Sequence, residues 1–295
     1  MGEPYSQMTT EAHSSRWQQI GWNGLLFQLP ETWQPTVIYP DYLFFEQEGT
    51  PVFEIKWQTA GGQFSPHNTL AQLDKSLPDE VRIDNWDLPP VFQQLFPTYT
   101  VSGFQIEHEK RYNNGMIIFC PRCDRIILVQ WYIDTERNSE ILSTIFRSIQ
   151  DHTESTKQVW SIYDINVKLP KAVTLRKHEF VPGKYTLCFE YGKTTLTLYR
   201  FKPAAVILNN TSLGTFGQDL LDRHPKEEGE EMASWQYQAR GIDLLLAKLR
   251  RKPLWNWMRL WHDPKQNVIL GIKAEGKRLT DTGWLETVCE NFTSA

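Results

Sequence analysis

The sequence predicts an α+β protein made of two similar α/β sandwich domains, each a mainly antiparallel sheet flanked by helices. First, residues 115–132 and 254–275 share one pattern: an apolar strand, a tight polar turn and a second apolar strand. Second, each hairpin leads into a segment whose apolar residues repeat at the spacing of one buried helical face. These residues are Ile141, Leu142, Ile145, Phe146 and Ile149 in the first copy, and Trp284, Leu285, Val288, Cys289 and Phe292 in the second.

Length and composition allow two folded domains. The chain has 295 residues, of which 40% are hydrophobic and 22% charged, so each half can bury a core. A net charge of −4 offers no overall attraction for nucleic acid or anionic lipid, so we expect neither as a partner unless a local patch supplies it. The twelve Trp fit large core side chains or aromatic anchors at an interface.

Domain boundaries follow from polar segments. We expect residues 1–15 to be a disordered lead-in, 16–152 the first domain and 153–295 the second. The N-terminus has no apolar leader and no apolar run approaches a membrane span, so we expect a cytoplasmic protein whose four Cys are free thiols. Met1, Gly2 and Ser6 match an N-myristoylation motif, but any short polar N-terminus can do so.

Periodicity and turn residues place the elements of the first half. Asn23-Gly24 predicts a hairpin turn, and Ser65 followed by Pro66 predicts the start of a helix. Strands are expected at 42–47, 52–58, 99–112, 116–120 and 125–133, turns at 48–51, 113–115 and 121–124, helices at 65–77 and 136–150, and a long connection at 78–98.

The second half repeats this order. Extended structure is expected at 159–170, strands at 187–190, 194–201, 234–240, 244–250, 254–262 and 268–274, and helices at 213–221 and 280–292. Corresponding positions differ by a nearly constant offset: Leu29 corresponds to Leu169, and Ile141 to Trp284. Because residues 126–133 are apolar on both faces of a strand, we expect helices and long connections packed on both faces of each sheet.

Each half resembles the Mog1/PsbP-like domain, which also occurs in DcrB-type bacterial proteins. The resemblance lies in Leu-Pro-Glu-Thr-Trp at 29–33, the helix at 65–77, the strand at 99–112 and the final hairpin and helix, with Lys-Leu-Pro at 168–170 in the second half. It implies an α/β sandwich with a central antiparallel sheet and no catalytic apparatus. Members of this family act by binding, one to a small nuclear GTPase and another to photosystem II.

Cys120 and Cys123 form a Cys-x-x-Cys motif in a predicted hairpin turn. Such a turn can direct two thiolates at a zinc ion, but a structural zinc site needs two more ligands. Cys188 and Cys289 stand alone, and His262 lies near the matching turn of the second half. A redox dithiol and a plain turn are the alternatives, and we expect no metal and no cofactor.

Basic and aromatic residues are mixed near residue 250. Arg250 and Arg251 belong to a basic run at 248–252, and Trp255 and Trp257 follow it. This pattern fits an interaction surface, a single-stranded nucleic-acid site or a solvated turn between two strands. We take these four residues as the candidate interaction surface.

The function that fits best is a non-catalytic interaction or scaffold protein with an unidentified protein partner. The sequence has no Gly-rich phosphate loop, no nucleophile elbow and no metal-protease helix. One alternative is a small-ligand module that uses a cleft between the domains. Another is an enzyme with an unrecognised site, which clustering of His108, His178 or His262 with carboxylates would favour.

Overall fold

The chain is richer in strands than the sequence predicts. The computed structural model describes residues 16–75, 77–78, 80–108, 111–221, 223–277 and 282–294. Strands make up 48% and helices 20%, in three antiparallel sheets, so the α+β class with sheets flanked by helices is wrong and the fold is a β-rich sandwich. The expected lead-in at 1–15 and its myristoylation motif lie outside the described residues.

The chain divides into two compact units. Unit 1 comprises Met1–Gln19 and Phe27–Ile149, and unit 2 comprises Ile20–Leu26 and Gln150–Ala295. The boundary near residue 150 was expected close to this point. What the sequence did not indicate is that the tip of the first hairpin belongs to unit 2, where Gly21 pairs with Ser161.

The elements follow in chain order. In the first half they are β1 Trp17–Trp22, β2 Leu25–Pro30, β3 Gln34–Tyr39, β4 Tyr42–Gln47, β5 Thr50–Thr59, α1 Pro66–Asp74, β6 Val81–Trp86, α2 Pro90–Gln93, β7 Thr100–His108, β8 Arg111–Cys120, β9 Arg125–Trp131 and α3 Ser139–Ser148. In the second half they are β10 Lys157–Ile162, β11 Ile165–Pro170, β12 Thr174–Val181, β13 Lys184–Tyr191, β14 Thr194–Phe201, α4 Ala204–Ile207, α5 Leu213–Leu221, β15 Glu227–Glu228, β16 Met232–Gln238, α6 Gly241–Leu249, β17 Trp255–Asp263, β18 Val268–Gly276 and α7 Gly283–Asn291.

Each unit contains a seven-stranded antiparallel sheet, and the two sheets have the same strand order. The order is β3-β4-β5-β9-β8-β7-β6 in unit 1 and β12-β13-β14-β18-β17-β16-β15 in unit 2. A detail of packing also repeats: the Ser148 hydroxyl accepts a hydrogen bond from the Gln28 amide at 2.8 Å, and the Asn291 side chain accepts one from the Lys168 amide at 2.6 Å. In both units the last turn of the final helix is therefore fixed to the hairpin strand beside it.

Several local predictions hold at the level of single residues. Asn23 and Gly24 have positive φ, as the predicted hairpin turn requires. The first helix has Ser65 as its N-cap, whose hydroxyl accepts a hydrogen bond from the Asn68 amide at 3.4 Å. The predicted 65–77 helix thus corresponds to α1, and the predicted helices at 136–150, 213–221 and 280–292 correspond to α3, α5 and α7.

Other local predictions are wrong. The turn expected at 113–115 is part of β8, because the chain reverses earlier, between His108 and Arg111. The strand expected at 244–250 is helix α6. The edge strands β3 and β12 and the short β6 and β15 were not predicted, because edge strands lack a regularly buried face.

In unit 1 both faces of the sheet are covered, but by different elements. On one face α1 packs through Leu70 against a cluster that includes Phe104, Ile117 and Ile126. On the other face Trp131 contacts Phe146 of α3 and Phe92 of α2. Phe27 of the first hairpin packs there against Phe45 and Phe53. A hairpin therefore covers part of the face that we expected helices and long connections to cover.

Unit 2 is covered in the same manner. Helices α4 and α5 lie on a cluster that includes Trp235, Met258, Leu260 and Ile269. The hairpin β10–β11 packs against the sheet through the contact of Trp160 with Phe189, whose ring centroids are 4.7 Å apart. In the described part of the chain, none of the helices has both the length and the apolar content that crossing a bilayer requires.

The close approach of a glycine and an aromatic ring in unit 1 gives a stability test. Gly115 pairs across the sheet with Phe104, and a Cβ at residue 115 would overlap the Phe104 ring. We expect Gly115→Ala to lower the free energy of unfolding by about 1–3 kcal/mol, the usual cost of overpacking. Urea unfolding followed by tryptophan fluorescence measures it. The control is Gly62→Ala, since no atom lies within 4 Å of a Cβ there; equal stability of the two variants would contradict this packing.

Candidate functional site

Helix α6 is an addition to the repeated scaffold. It connects β16 to β17 in unit 2, whereas the corresponding strands of unit 1, β7 and β8, are separated by two residues. No residue of α6 is buried. The helix therefore contributes little to the core of unit 2, and its sequence needs another explanation.

The outer face of α6 has the apolar spacing of a helix that packs against something. Ile242, Leu245, Leu246 and Leu249 occupy positions i, i+3, i+4 and i+7, which lie on one helical face. Their exposed fractions are 73%, 67%, 42% and 82%. Leu244 and Ala247, which lie on the opposite side of the helix, are half-buried. Contiguous exposed apolar surface of this kind marks interaction sites in soluble proteins.

Both ends of α6 are fixed by the backbone. Gly241 has φ +54° at the start of the helix, a conformation that glycine adopts without strain. At the end, the Arg251 amide donates to the Lys248 carbonyl at 3.2 Å and the Lys252 amide to the Ala247 carbonyl at 2.9 Å. This is the Schellman pattern, and Arg251 occupies its left-handed position with φ +54°. An arginine thus stands where glycine is usual.

Cations surround the apolar face. Lys248 lies in the last turn of α6, and Asp243 is the acidic residue of its first turn. The exposed cations of α6 and its two flanks are Arg240, Lys248, Arg250, Arg251 and Lys252. The whole chain has a net charge of −4, so this segment is basic within an acidic protein.

An open pocket adjoins the C-terminal end of α6. We call it the Arg251 pocket. Its volume is about 430 Å³. It lies where the β13–β14 turn meets the end of β18 and the entry to β17, because Thr194 and Trp255 both pair with Gly276. The residues that line it are Glu190, Gly192, Lys193, Thr195, Arg251, Pro253, Glu275, Gly276 and Lys277.

The acidic residues of the Arg251 pocket already have cationic partners. Glu190 forms an ion pair with Arg176 across β12 and β13, and Glu275 forms one with Lys273 at 2.8 Å. Within the part of the chain that the structure describes, Lys193, Arg251 and Lys277 form no ion pair. The pocket is therefore poised to accept an anionic group.

Two residues of the predicted interaction surface are not on the surface. Arg250 and Arg251 are exposed, but Trp255 is 1% and Trp257 7% exposed, because both rings lie in the core of unit 2. Trp255 lies beneath the Arg251 pocket: a Cβ on Gly276 would come within 2.9 Å of its indole nitrogen. Stacking of nucleic-acid bases needs exposed rings, so the nucleic-acid alternative loses its aromatic platform.

The structure places Cys120 and Cys123 at the turn between β8 and β9, as the sequence predicted. Cys120 ends β8 and is buried, Cys123 is half-buried, and their sulfur atoms lie within 4.8 Å of each other. Neither forms a disulfide. The turn thus presents two of the four ligands that a structural zinc site uses, and the zinc, redox and plain-turn alternatives stay predictions.

The other two thiols belong to unit 2 and lie apart. Cys188 is on β13, where the Thr197 hydroxyl donates a long hydrogen bond of 3.9 Å to its sulfur. Burial raises the pKa of the Cys289 thiol of α7 to about 12. Because the thiolate is the nucleophile, Cys289 is unreactive at neutral pH.

The three candidate histidines lie on three different strands. His108 ends β7 in unit 1 and is exposed. In unit 2, His178 on β12 packs against Trp22 and Phe180, and His262 is on β17. Three strands, β13, β14 and β18, separate β12 from β17 in the sheet.

Unit 2 also contains an acid–histidine pair, Asp151 and His152, which sequence reasoning did not identify. Asp151 has a side chain only 1% exposed, and its Oδ1 lies 2.7 Å from Nδ1 of His152. The pair borders a groove of about 220 Å³, below the roughly 300–1,000 Å³ of typical small-molecule sites. The nearby Thr153 and Ser155 hydroxyls accept backbone hydrogen bonds at 3.2 and 3.1 Å, which stabilise the turn that carries them.

The surface helix escaped prediction for an identifiable reason. Three consecutive leucines at 244–246 fit a buried strand, which is the structure predicted for this segment. The i, i+3, i+4, i+7 spacing from Ile242 to Leu249 was also present and indicates a helix. A left-handed cap made by arginine rather than glycine removed the usual stop signal.

The chain matches no protein-family model and no curated protein, so the Mog1/PsbP-like assignment stays a prediction. Its similarity to solved structures is remote. The immunity protein TplEi of T6SS from Pseudomonas aeruginosa is 10% identical, with 94% of this chain and 97% of that chain covered and a TM-score of 0.34. A structure of the Tle4–Tli4 complex matches with 10% identity, the same coverages and a TM-score of 0.33. For a Bacteroides thetaiotaomicron VPI-5482 structure, with 10% identity, 52% of this chain and 53% of that chain are covered at a TM-score of 0.30.

The arginine cap of α6 predicts a gain in stability on substitution. Arg251→Gly removes the cost of a side chain in the left-handed region, partly offset by the greater freedom of glycine in the unfolded chain. We expect the free energy of unfolding to rise by about 0.5–1 kcal/mol in urea titrations. Gly241→Ala, at the same φ, should lower it. A clear loss of stability in Arg251→Gly would mean that the guanidinium group, and not the cap, holds this loop.

Proposed function

We propose that this chain is a non-catalytic protein-binding protein and that α6 of unit 2 is its contact element. The observation that carries the proposal is the exposed apolar face of Ile242, Leu245, Leu246 and Leu249. A helix that leaves such a face in water gains nothing from it in the isolated chain, whereas packing against a partner buries it. Removing this aliphatic surface from water favours association, because apolar burial is the dominant favourable term in most protein–protein contacts.

The comparison of the two units supports a binding role for α6. The same strand order forms in unit 1 with only two residues between the corresponding strands, so the scaffold does not require the helix. An insertion on a conserved strand order is where a chain can add function without disturbing its core. The proposal therefore assigns folding to the sheets and recognition to α6.

The non-catalytic part of the proposal has separate support. The Cys289 thiol is protonated at neutral pH because burial raises its pKa, and His178 and His262 lie on strands that do not adjoin. The surface around α6 combines aliphatic side chains with Lys and Arg, a composition that suits contact with a partner.

The test uses charge placed on the apolar face. Leu245→Asp combined with Leu249→Asp should reduce capture of the partner from the native cell extract, measured by quantitative mass spectrometry, and should weaken binding of the purified partner about 100-fold or more in calorimetry. Both side chains are exposed, so the variant should fold and melt like the original chain.

The matched control is Val206→Asp. Val206 is 71% exposed on α4 of the same unit, so the control adds a charge at an exposed aliphatic position away from α6. It should leave partner capture unchanged. Equal capture by the leucine variant and the control would reject α6 as the contact element. Loss of a homodimer in the leucine variant, seen by light scattering, would show that a second copy of this chain is the occupant.

A further inference from the structure

We infer that the partner presents an acidic amphipathic segment, whose aliphatic side chains pack on α6 and whose carboxylates enter the Arg251 pocket. This inference rests on the proposed function and adds the chemistry of the partner. It depends on three features: the length of the apolar face, the excess of cations around it and the concave shape of the pocket beside it.

The apolar face sets the form of the partner segment. From Ile242 to Leu249 the face extends seven residues along the helix, about 10 Å at the rise of an α-helix. Two turns of a second amphipathic helix, with apolar residues at i, i+3, i+4 and i+7, match this length. The segment therefore needs a few aliphatic anchors with polar residues between them.

Charge sets the composition of those polar residues. Five exposed cations belong to α6 and its flanks, and the pocket adds Lys193 and Lys277. The pocket carboxylates of Glu190 and Glu275 are paired with Arg176 and Lys273, so they do not neutralise these groups. A partner with Asp or Glu beside its aliphatic anchors is complementary, and one with Lys or Arg is repelled.

The pocket favours a protein over a lipid surface. Basic amphipathic helices also bind anionic membranes, which bury the apolar face in a planar interface. The Arg251 pocket is instead a concavity of about 430 Å³, and Arg251, which lines it, follows the C-cap of α6 two residues after Leu249. A protruding acidic side chain can fill that concavity, whereas a flat bilayer surface cannot.

Synthetic peptides test the inference on the full-length chain. The probe is a fluorescein-labelled peptide of about 18 residues, long enough to form a helix, with Leu at i, i+3, i+4 and i+7 and Glu at the polar positions. A twin carries Lys in place of each Glu, and a scrambled peptide keeps the composition without the spacing. Fluorescence anisotropy should show saturable binding of the acidic peptide, and at least tenfold weaker binding of the twin and of the scrambled peptide.

Variants locate the binding site. Lys193→Ala combined with Lys277→Ala should weaken binding of the acidic peptide about tenfold, as should Arg251→Gly, which keeps the helix cap. Lys226→Ala combined with Lys265→Ala removes two exposed lysines elsewhere in unit 2 and should change nothing. Raising salt from about 50 to 500 mM should weaken binding in the unaltered chain and less in the charge variants.

The outcomes separate this inference from the proposed function. The inference of an acidic partner segment would be overturned if the acidic peptide and its Lys twin bound equally. An equal effect of the two double-lysine variants would overturn it as well. If, with either of these results, the Leu245→Asp, Leu249→Asp variant still failed to capture the native partner, the proposed binding role of α6 would stand. Binding to phosphatidylserine-containing vesicles that depends on Leu245 and Leu249, with no peptide binding, would overturn both and assign α6 to a membrane.

Discussion

The structure depends on covering a sheet whose central strands are apolar on both faces. In β9 the neighbouring residues Ile126 and Ile127 are both buried, and in β18 so are Ile269 and Leu270. Successive residues of a strand point to opposite faces, so each of these strands needs a layer on either side. One face is covered by α1 in unit 1 and by α4 and α5 in unit 2, and a hairpin and the final helix cover the other face in both units. The hydrogen bonds from the Gln28 and Lys168 amides to the last turns of α3 and α7 fix that second layer at corresponding places.

Helix α6 stands out because it serves no such covering role. Every other long helix buries at least one apolar residue against its own unit, among the helices that the structure describes. In α6 the apolar stripe has the same spacing but faces water, and a basic rim and a concave pocket adjoin it. The apolar face of α6 has the residue spacing of a core-facing helix but does not pack in the core, as expected of a helix that binds a partner. The repeated strand order makes the contrast visible, since in unit 1 only two residues separate the corresponding strands β7 and β8.

The sequence predicted the repeat, three turns, the helices α1, α3, α5 and α7 and most central strands, because these depend on local spacing and on turn residues such as Asn23-Gly24. It failed for the balance of strand and helix, since the edge strands β3 and β12 have little buried surface and no clear period. For the site it placed Arg250 and Arg251 correctly at the surface but not Trp255 and Trp257. Exposure of a Trp depends on which sheet face it occupies, and that is set by tertiary register and not by its neighbours in sequence.

The central claim is that unit 2 folds without α6 and uses it for recognition. The most direct measurement replaces residues 240–253 by Asn-Gly, which joins Ala239 to Leu254; the Ala239 amide already donates to the Leu254 carbonyl at 2.7 Å. We expect the shortened chain to keep a cooperative thermal transition and a hydrogen-exchange pattern in β13, β14, β17 and β18 like that of the full chain, while binding of the protein partner is lost. An unfolded unit 2, or undiminished binding, would contradict the account.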